Sequence, residues 1–494
     1  MPLLVLASSA CYRPPTDART NGSWSYEVDA PGEGSRTVTV EATFVNARTD
    51  RIGITRESAP FVRDMQLHTG DGFQTVTRRG NEWVEPSCRS SCTVRYRIDL
   101  GELAAACGDE VDCARRVGDA TMSPALAWLV HPVPKHDVPV QVRVKTPNAL
   151  QFASGMNPVD DTGRRFAFRS YDLDEGSFTA FGPMRHYRID VPGRDGERGR
   201  LDVAIVGKTR YGMTDEAMKA WVDDATRVVT PLFGRFPVDR TTLFIVPAKN
   251  EDEVVFGKVL SLAGASVALV VGDKMPESAR HQDWVLVHEL FHLGFPTFRG
   301  EGRWLGEGLA TYYEPILRAR AGWTKEADVF RQFARNMPRG LPTRGSSAGL
   351  ASRDDLDSIY WGGALFCLAA DVAIREETRN RKSLDDVVRT ALARGGDATK
   401  VWTVAEVVRL GDEVTGTTVL SRLYERHAQR GERIDLEGIL ASLGVEKAED
   451  GGWALDDTRP LAWVRRGIVV DRKRSAVESA EASNAFVHPP IAAP

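Results

Sequence analysis

The chain has 494 residues, 42% of them apolar, with 64 Lys and Arg against 68 Asp and Glu and a net charge of −4. That length allows two to four domains with ample core. The faintly acidic balance lacks the basic stripe of a nucleic-acid binder, so no nucleic acid is expected as partner, and no apolar run approaches the roughly 18 residues of a membrane-spanning helix.

Residues 1–11, MPLLVLASSAC, are apolar with small residues before Cys11. This resembles the tail of a signal peptide of the lipoprotein kind. Residues 1–20 are therefore expected to be a signal-like segment and linker, with a lipid anchor at Cys11. The location that follows is extracytoplasmic in a bacterium: periplasmic, secreted or lipid-anchored. Cys88, Cys92, Cys107 and Cys113 cluster within 26 positions. They suit two disulfides in an oxidising compartment, with three pairings open, or a four-thiolate zinc site. The spacings C-x3-C and C-x5-C are less regular than a zinc ribbon, which favours disulfides. Cys367, inside an apolar stretch, is expected to be a buried thiol.

Residues 21–200 alternate with period two in SYEVDA (25–30), TVTVEATFV (37–45), CTVRYRIDL (92–100) and VPVQVRVKT (138–146). Turn-forming PGEG (31–34) and TGDG (69–72) lie between them. The pattern predicts an antiparallel β-sandwich-like N-terminal domain, continuing through RRFAFRSY, FTAFG and RHYRIDV. His131, His136 and His186 stand at no ligand-like spacing and read as surface or structural residues. From 201 the character changes: LDVAIVG, TLFIVPA and ASVALVVGD read as strands. Thr214 caps a helix predicted over 214–237.

The segment WVLVHELFH (284–292) carries the chemistry. His288 and His292 are four apart and share one helix face, so two imidazoles can reach one ion. Glu289 can lean over the same site as a general base. Trp284, Val287, Leu290 and Phe291 at helical spacing predict a buried helix, and buried polar groups need partners. In RWLGEGLATYYE (303–314), Glu307 stands between two glycines at the start of a second apolar-periodic run. As a ligand it would complete a His-His-Glu set with a fourth position open. As a bland helix-start glutamate it would be favoured by the helix dipole.

HELFH followed by WLGEGLATYYE resembles the gluzincin metallopeptidases, whose second helix carries E-G-x-A-x-Y-x-E. SIYWGGALFCLAADVAIREET (358–378) and SLDDVVRTAL (383–392) are most similar to the glycyl aminopeptidase family, in which a Tyr near a Gly opens a long apolar helix. The resemblance covers roughly residues 200–445. It implies a thermolysin-like α+β zinc catalytic domain over 201–340, completed by a helical C-terminal lobe over 341–450. It implies one Zn2+ per chain on His288, His292 and Glu307, a peptide or protein substrate, and an edge strand that pairs with that substrate by β-addition. Glu289 would be the general base. Tyr360 would donate to the oxyanion, with Tyr312 and Tyr313 as competitors. Glu314, seven residues after Glu307, would orient a ligand histidine. The alternative is a zinc-containing peptide-binding or scaffold protein without catalysis.

One departure concerns substrate. Aminopeptidases of these families carry a glutamate shortly before the metal helix that holds the free amine. Here LSLAGASVALV (260–270) stands in that place, with no acid between Lys258 and Asp273. Glu251, Asp252 and Glu253 read as a solvated loop. Aminopeptidase and endopeptidase therefore both remain open. Helices are expected near 360–377, 383–393, 403–412, 415–430 and 434–445. Residues 451–494 read as a short extension with a β pair and a disordered tail from about 473, too short for the PDZ domain of larger family members.

Overall fold

In the computed structural model, residues 21–470 are described, apart from 31–35, 70, 147–151, 344–347 and 449–451. The signal-like segment with Cys11, the PGEG turn and the tail from 473 lie outside the described residues.

The period-two segments form a seven-stranded sheet in the order Arg165–Arg169, Pro139–Lys145, Ser23–Asp29, Thr37–Val45, Ser91–Asp99, Val62–Thr69, Gly72–Thr75. It is not purely antiparallel, because Ser23–Asp29 runs parallel to Pro139–Lys145. Strand alternation shows which residues share a face but not which way a neighbouring strand runs. Two four-stranded sheets accompany it. Its inward face buries Trp24, Tyr26, Val40, Phe44, Tyr96 and Trp128. The two tyrosine hydroxyls donate to the carbonyls of Val130 (2.8 Å) and Trp128 (2.7 Å), so burial leaves neither unpaired. Cys88 pairs with Cys92 and Cys107 with Cys113. Cys367 is a buried free thiol.

A five-stranded sheet follows, ordered Met184–Pro192, Arg198–Val206, Arg240–Ala248, Ser266–Gly272, Val254–Leu260. Its first strand comes from residues that the sequence groups with the N-terminal 200, yet Met184–Pro192 pairs along its whole length with Arg198–Val206. The three inner strands are parallel, and the helix Asp215–Phe233 makes one crossover between them. Both faces of this sheet are covered. Leu243, Ile245, Val267 and Leu269 pack on helices. Phe244, Val246, Ala268 and Val270 pack on Met122, Phe178 and Ala180 of the N-terminal part. Two-sided burial explains why these strands read as continuous apolar runs rather than alternating ones.

The last strand, Val254–Leu260, is antiparallel to Ser266–Gly272 and forms the sheet's edge. Helices make up the remainder, among them Val285–His292, Arg303–Arg320, Glu326–Asn336 and Gly363–Glu377. The expected 415–430 helix is split into Val419–Leu423 and a π-helical turn at Tyr424–Gln429. The C-terminal β pair is Val445–Lys447 with Trp453–Leu455, followed by a helix over Ala462–Val469. Among the described residues, no helix is long and apolar enough to cross a membrane.

Candidate metal centre and cleft

The helix Val285–His292 is started by Asp283, whose carboxylate accepts from the backbone N–H groups of Val285 (3.0 Å) and Leu286 (3.1 Å). Capping of this kind satisfies donors the helix leaves open. Leu286, Val287, Leu290 and Phe291 are fully buried. Trp284 is not, despite its apolar spacing: it is 50% exposed and stands edge-on to the His288 ring. It belongs to the cleft wall rather than the core.

The second helix, Arg303–Arg320, crosses Gly363–Glu377 with the two backbones in contact. A Cβ on Gly308 would lie 2.4 Å from the backbone carbon of Gly363. Behind it, Tyr312 donates to Asp371 (2.8 Å) and Tyr313 to Asp385 (3.0 Å), both fully buried. Their hydroxyls are thus engaged with Asp371 and Asp385.

His288, His292 and Glu307 converge. The separations are 3.2 Å between the two Nε2 atoms, 3.4 Å from His288 Nε2 to Glu307 Oε2, and 3.3 Å from His292 Nε2 to the same oxygen. A tetrahedral zinc ion about 2.0–2.1 Å from each donor would hold those donors about 3.3–3.4 Å apart. The three side chains therefore fit the ion in both chemistry and spacing. Burial pushes the Glu307 carboxyl up, but the imidazoles of His292 and His288 outweigh it and hold the group well below the usual carboxylate range. His288 Nδ1 is buried and has no hydrogen-bond partner among the described residues.

Glu289 is buried beside this triplet, and its carboxyl is pushed up to about 8, chiefly by burial. The edge strand reaches it at Gly257, where an added Cβ would stand 2.5 Å from Glu289 Cγ. A glycine in a strand often marks such close approach. Tyr360 lies in a π-helical turn, Ser358–Gly362, an irregularity common at functional sites. Its ring stacks on His288 at 6.1 Å. Burial and the nearby carboxylates of Glu307 and Glu289 push its hydroxyl up to about 12, so it stays protonated near neutral pH.

Glu314 does not orient a ligand histidine. Its carboxylate accepts from Arg318 (2.8 Å) and, more distantly, from Gln332 (3.5 Å). Arg318 also donates to the carbonyls of His281 and Gln282, tying the second helix to the approach of the metal helix. The salt-bridge partner four residues on captures the glutamate.

Two cleft residues escaped the sequence reading. Asp112 and Glu175, both from the N-terminal part, line the same cavity of about 480 Å³ as Glu289, His292 and Glu307. Asp112 is paired with Lys258 (2.8 Å), whereas the cation nearest Glu175 is Arg299 at 3.9 Å. Glu251, Asp252 and Glu253 are exposed, as a solvated loop should be. Nothing local in the chain marks Asp112 or Glu175, because the fold alone brings them to the metal helix.

No protein-family model matches the sequence, and no curated protein matches it. Solved structures do match the fold. It is similar to an aminopeptidase N family protein from Idiomarina loihiensis, at a TM-score of 0.66 and 14% identity over 85% of this chain and 78% of that one. It is similar to an M1 zinc metallopeptidase from Deinococcus radiodurans, a mutant bound to a Tyr-Ser-Ala substrate, at 0.52 and 14% over 83% and 94%. Legionella pneumophila aminopeptidase A, in complex with aspartic acid, gives 0.52 and 12% over 84% of this chain and 50% of that one. The class defined is a multidomain fold like that of the M1 zinc aminopeptidases, into which the gluzincin arrangement fits. At these identities the likeness is one of fold.

Proposed function

We propose that this protein is a zinc-dependent metallopeptidase with Glu289 as general base. The observation that carries the reading is the triplet of His288, His292 and Glu307 at zinc-ligand spacing, with Glu289 held between it and a free sheet edge. Zinc held by these three residues would polarise the scissile carbonyl and lower the pKa of a water towards about 7.

The chain's own groups do the rest. The outer edge of Val254–Leu260 offers main-chain donors and acceptors to an extended peptide. Glu289, held against the edge strand at Gly257, takes the proton of the attacking water and passes it to the leaving amine. The Tyr360 hydroxyl donates a hydrogen bond to the oxygen on which charge develops. Glu175 supplies the acid that the stretch before the metal helix lacks, so a free amino terminus finds a counter-charge in the small cavity. That favours aminopeptidase action, in keeping with the glycyl aminopeptidase-like segment at 358–378. The two disulfides favour an extracytoplasmic setting.

The test is E289Q. Hydrolysis of a peptide library should fall on the order of 10²–10⁴-fold while zinc content is unchanged. Undiminished activity would refute the mechanism. Zinc binding by a wild type that cleaves nothing would leave the scaffold reading instead. Matched free and N-acetylated peptides separate the specificities: an aminopeptidase cleaves only the free ones.

A further inference from the structure

Two chambers meet at the metal centre. The smaller is the cavity holding Asp112 and Glu175, and the larger is about 850 Å³. Phe256, Arg303 and Tyr360 line both, so the two form one cleft. Along the edge strand, Phe256 alone faces the larger chamber, whereas Phe256, Gly257, Lys258 and Val259 face the smaller. The larger chamber thus lies towards the strand's N-terminal end. A peptide added antiparallel to this edge places its amino end in the smaller chamber and its carboxyl end in the larger.

The charges have the same polarity. The smaller chamber presents Glu175 to an ammonium. The larger is lined by five arginines and three carboxylates. All three carboxylates are taken: Glu314 by Arg318 at 2.8 Å, Asp328 by Arg331 at 2.7 Å, and Asp357 by Arg339 at 2.6 Å. Arg303 and Arg335 have no carboxylate partner among the described residues. Arg303 sits beside the Tyr360 hydroxyl, at the inner end. Arg335 projects from the helix Glu326–Asn336, whose Val329, Phe330 and Phe333 are buried while Asp328, Arg331, Gln332 and Arg335 face the chamber. The spacing of those four is that of one helix face. Exposed Trp284 and Leu356 supply apolar wall.

We propose that the larger chamber receives a carboxylate of the substrate on the leaving-group side of the scissile bond, bound by Arg335. This rests on the peptidase reading. The carboxylate has two sources, the C-terminal α-carboxyl of a short peptide or an Asp or Glu side chain in a longer one. Arginine suits either, because its planar fork matches a carboxylate bidentately.

The experiment uses the zinc-loaded full chain carrying E289Q, titrated calorimetrically with uncleaved oligopeptides. One pair differs only in a free or amidated C-terminus. A second, amidated pair differs only in Glu or Gln after the scissile bond. At low salt the charged member of at least one pair should bind roughly 5–10-fold tighter, and the gap should shrink at 1 M salt as the Debye length falls to about 3 Å. Which pair responds identifies the source. The gap should close in R335A, narrow only partly in R335K and invert in R335E. Arg335 is exposed, so these variants should fold, as thermal unfolding will verify. Equal affinities within both pairs, or a gap untouched by R335A, overturns the proposal. Wild-type hydrolysis of the same peptides keeps the two readings apart: cleavage without charge preference sinks the chamber's role alone, and neither cleavage nor binding of any peptide sinks both.

Discussion

Gly257 offers the sharpest test of how the edge strand and the general base share space. A Cβ at this position would stand 2.5 Å from Glu289 Cγ, 2.7 Å from its Oε1 and 2.7 Å from Val285 Cγ1. Carbon atoms settle about 3.5–4.0 Å apart, so G257A requires a displacement of about 1 Å. The metal helix cannot retreat, because Leu286, Leu290 and Phe291 are fully buried behind it and Asp283 fixes its first turn. The strand must move outwards or the Glu289 carboxylate must swing. Either change misplaces the base relative to the peptide. A misplacement of about 1 Å costs on the order of 10²-fold in rate, equivalent to about 2.7 kcal/mol of barrier. Overpacking itself should cost about 1–3 kcal/mol of stability. The assay is kcat on the best library peptide, with zinc stoichiometry and thermal unfolding measured on the same preparation. The expected result is a folded, zinc-loaded protein with kcat down about 100-fold. Activity within about twofold of wild type would refute the close contact on which the reasoning rests.

Other outcomes follow from the site and its support. H292A should lose zinc affinity by more than the roughly 10–100-fold typical of an outer-shell partner, whereas E314Q should hardly change it; chelator competition measures both. Y360F should lower kcat on the order of 10²-fold with little change in KM, as removal of an oxyanion donor does. D385N should destabilise the fold by about 3 kcal/mol at neutral pH, because it leaves buried Arg320 without its ion pair. Burial pushes the Asp385 carboxyl up, but Arg320, Arg375 and Arg389 outweigh it and hold the group at about 2, below its ordinary 3.8. A depressed carboxyl contributes stability above its unfolded value and loses it as pH falls through the folded one. Denaturant unfolding from pH 4 down to 2 should therefore show wild type losing about 2 kcal/mol that D385N does not lose.

The histidine pair of the candidate triplet was legible because it depends on local geometry, whereas Glu307 joins it through the packing of two helices. His288 and His292 share a face in any α-helix, and Glu307 opens the next one. The inner strands were legible because two-sided burial leaves long apolar runs. Less visible was Val254–Leu260, an edge strand with one partner and exposed Val255 and Phe256, whose pattern is neither alternating nor fully apolar. Trp284 fits the apolar period of its helix yet faces the cleft, since periodicity defines a stripe and not its boundary. Glu314 sits on the helix of Glu307, but an arginine one turn later decides what it touches.

The sequence by itself named a candidate ligand set, a candidate base and the class of chemistry they suit, because His288, Glu289 and His292 lie within about one turn of a single helix and Glu307 falls in the opening turns of the next. Only the tertiary structure decided the cleft. It engages the hydroxyls of Tyr312 and Tyr313 with Asp371 and Asp385, and brings Asp112 and Glu175 to one side of the helix Val285–His292 and Arg335 to the other. Those residues come from segments far apart in the chain. Their proximity follows from long-range packing of sheet, helices and N-terminal strands, which no local spacing encodes.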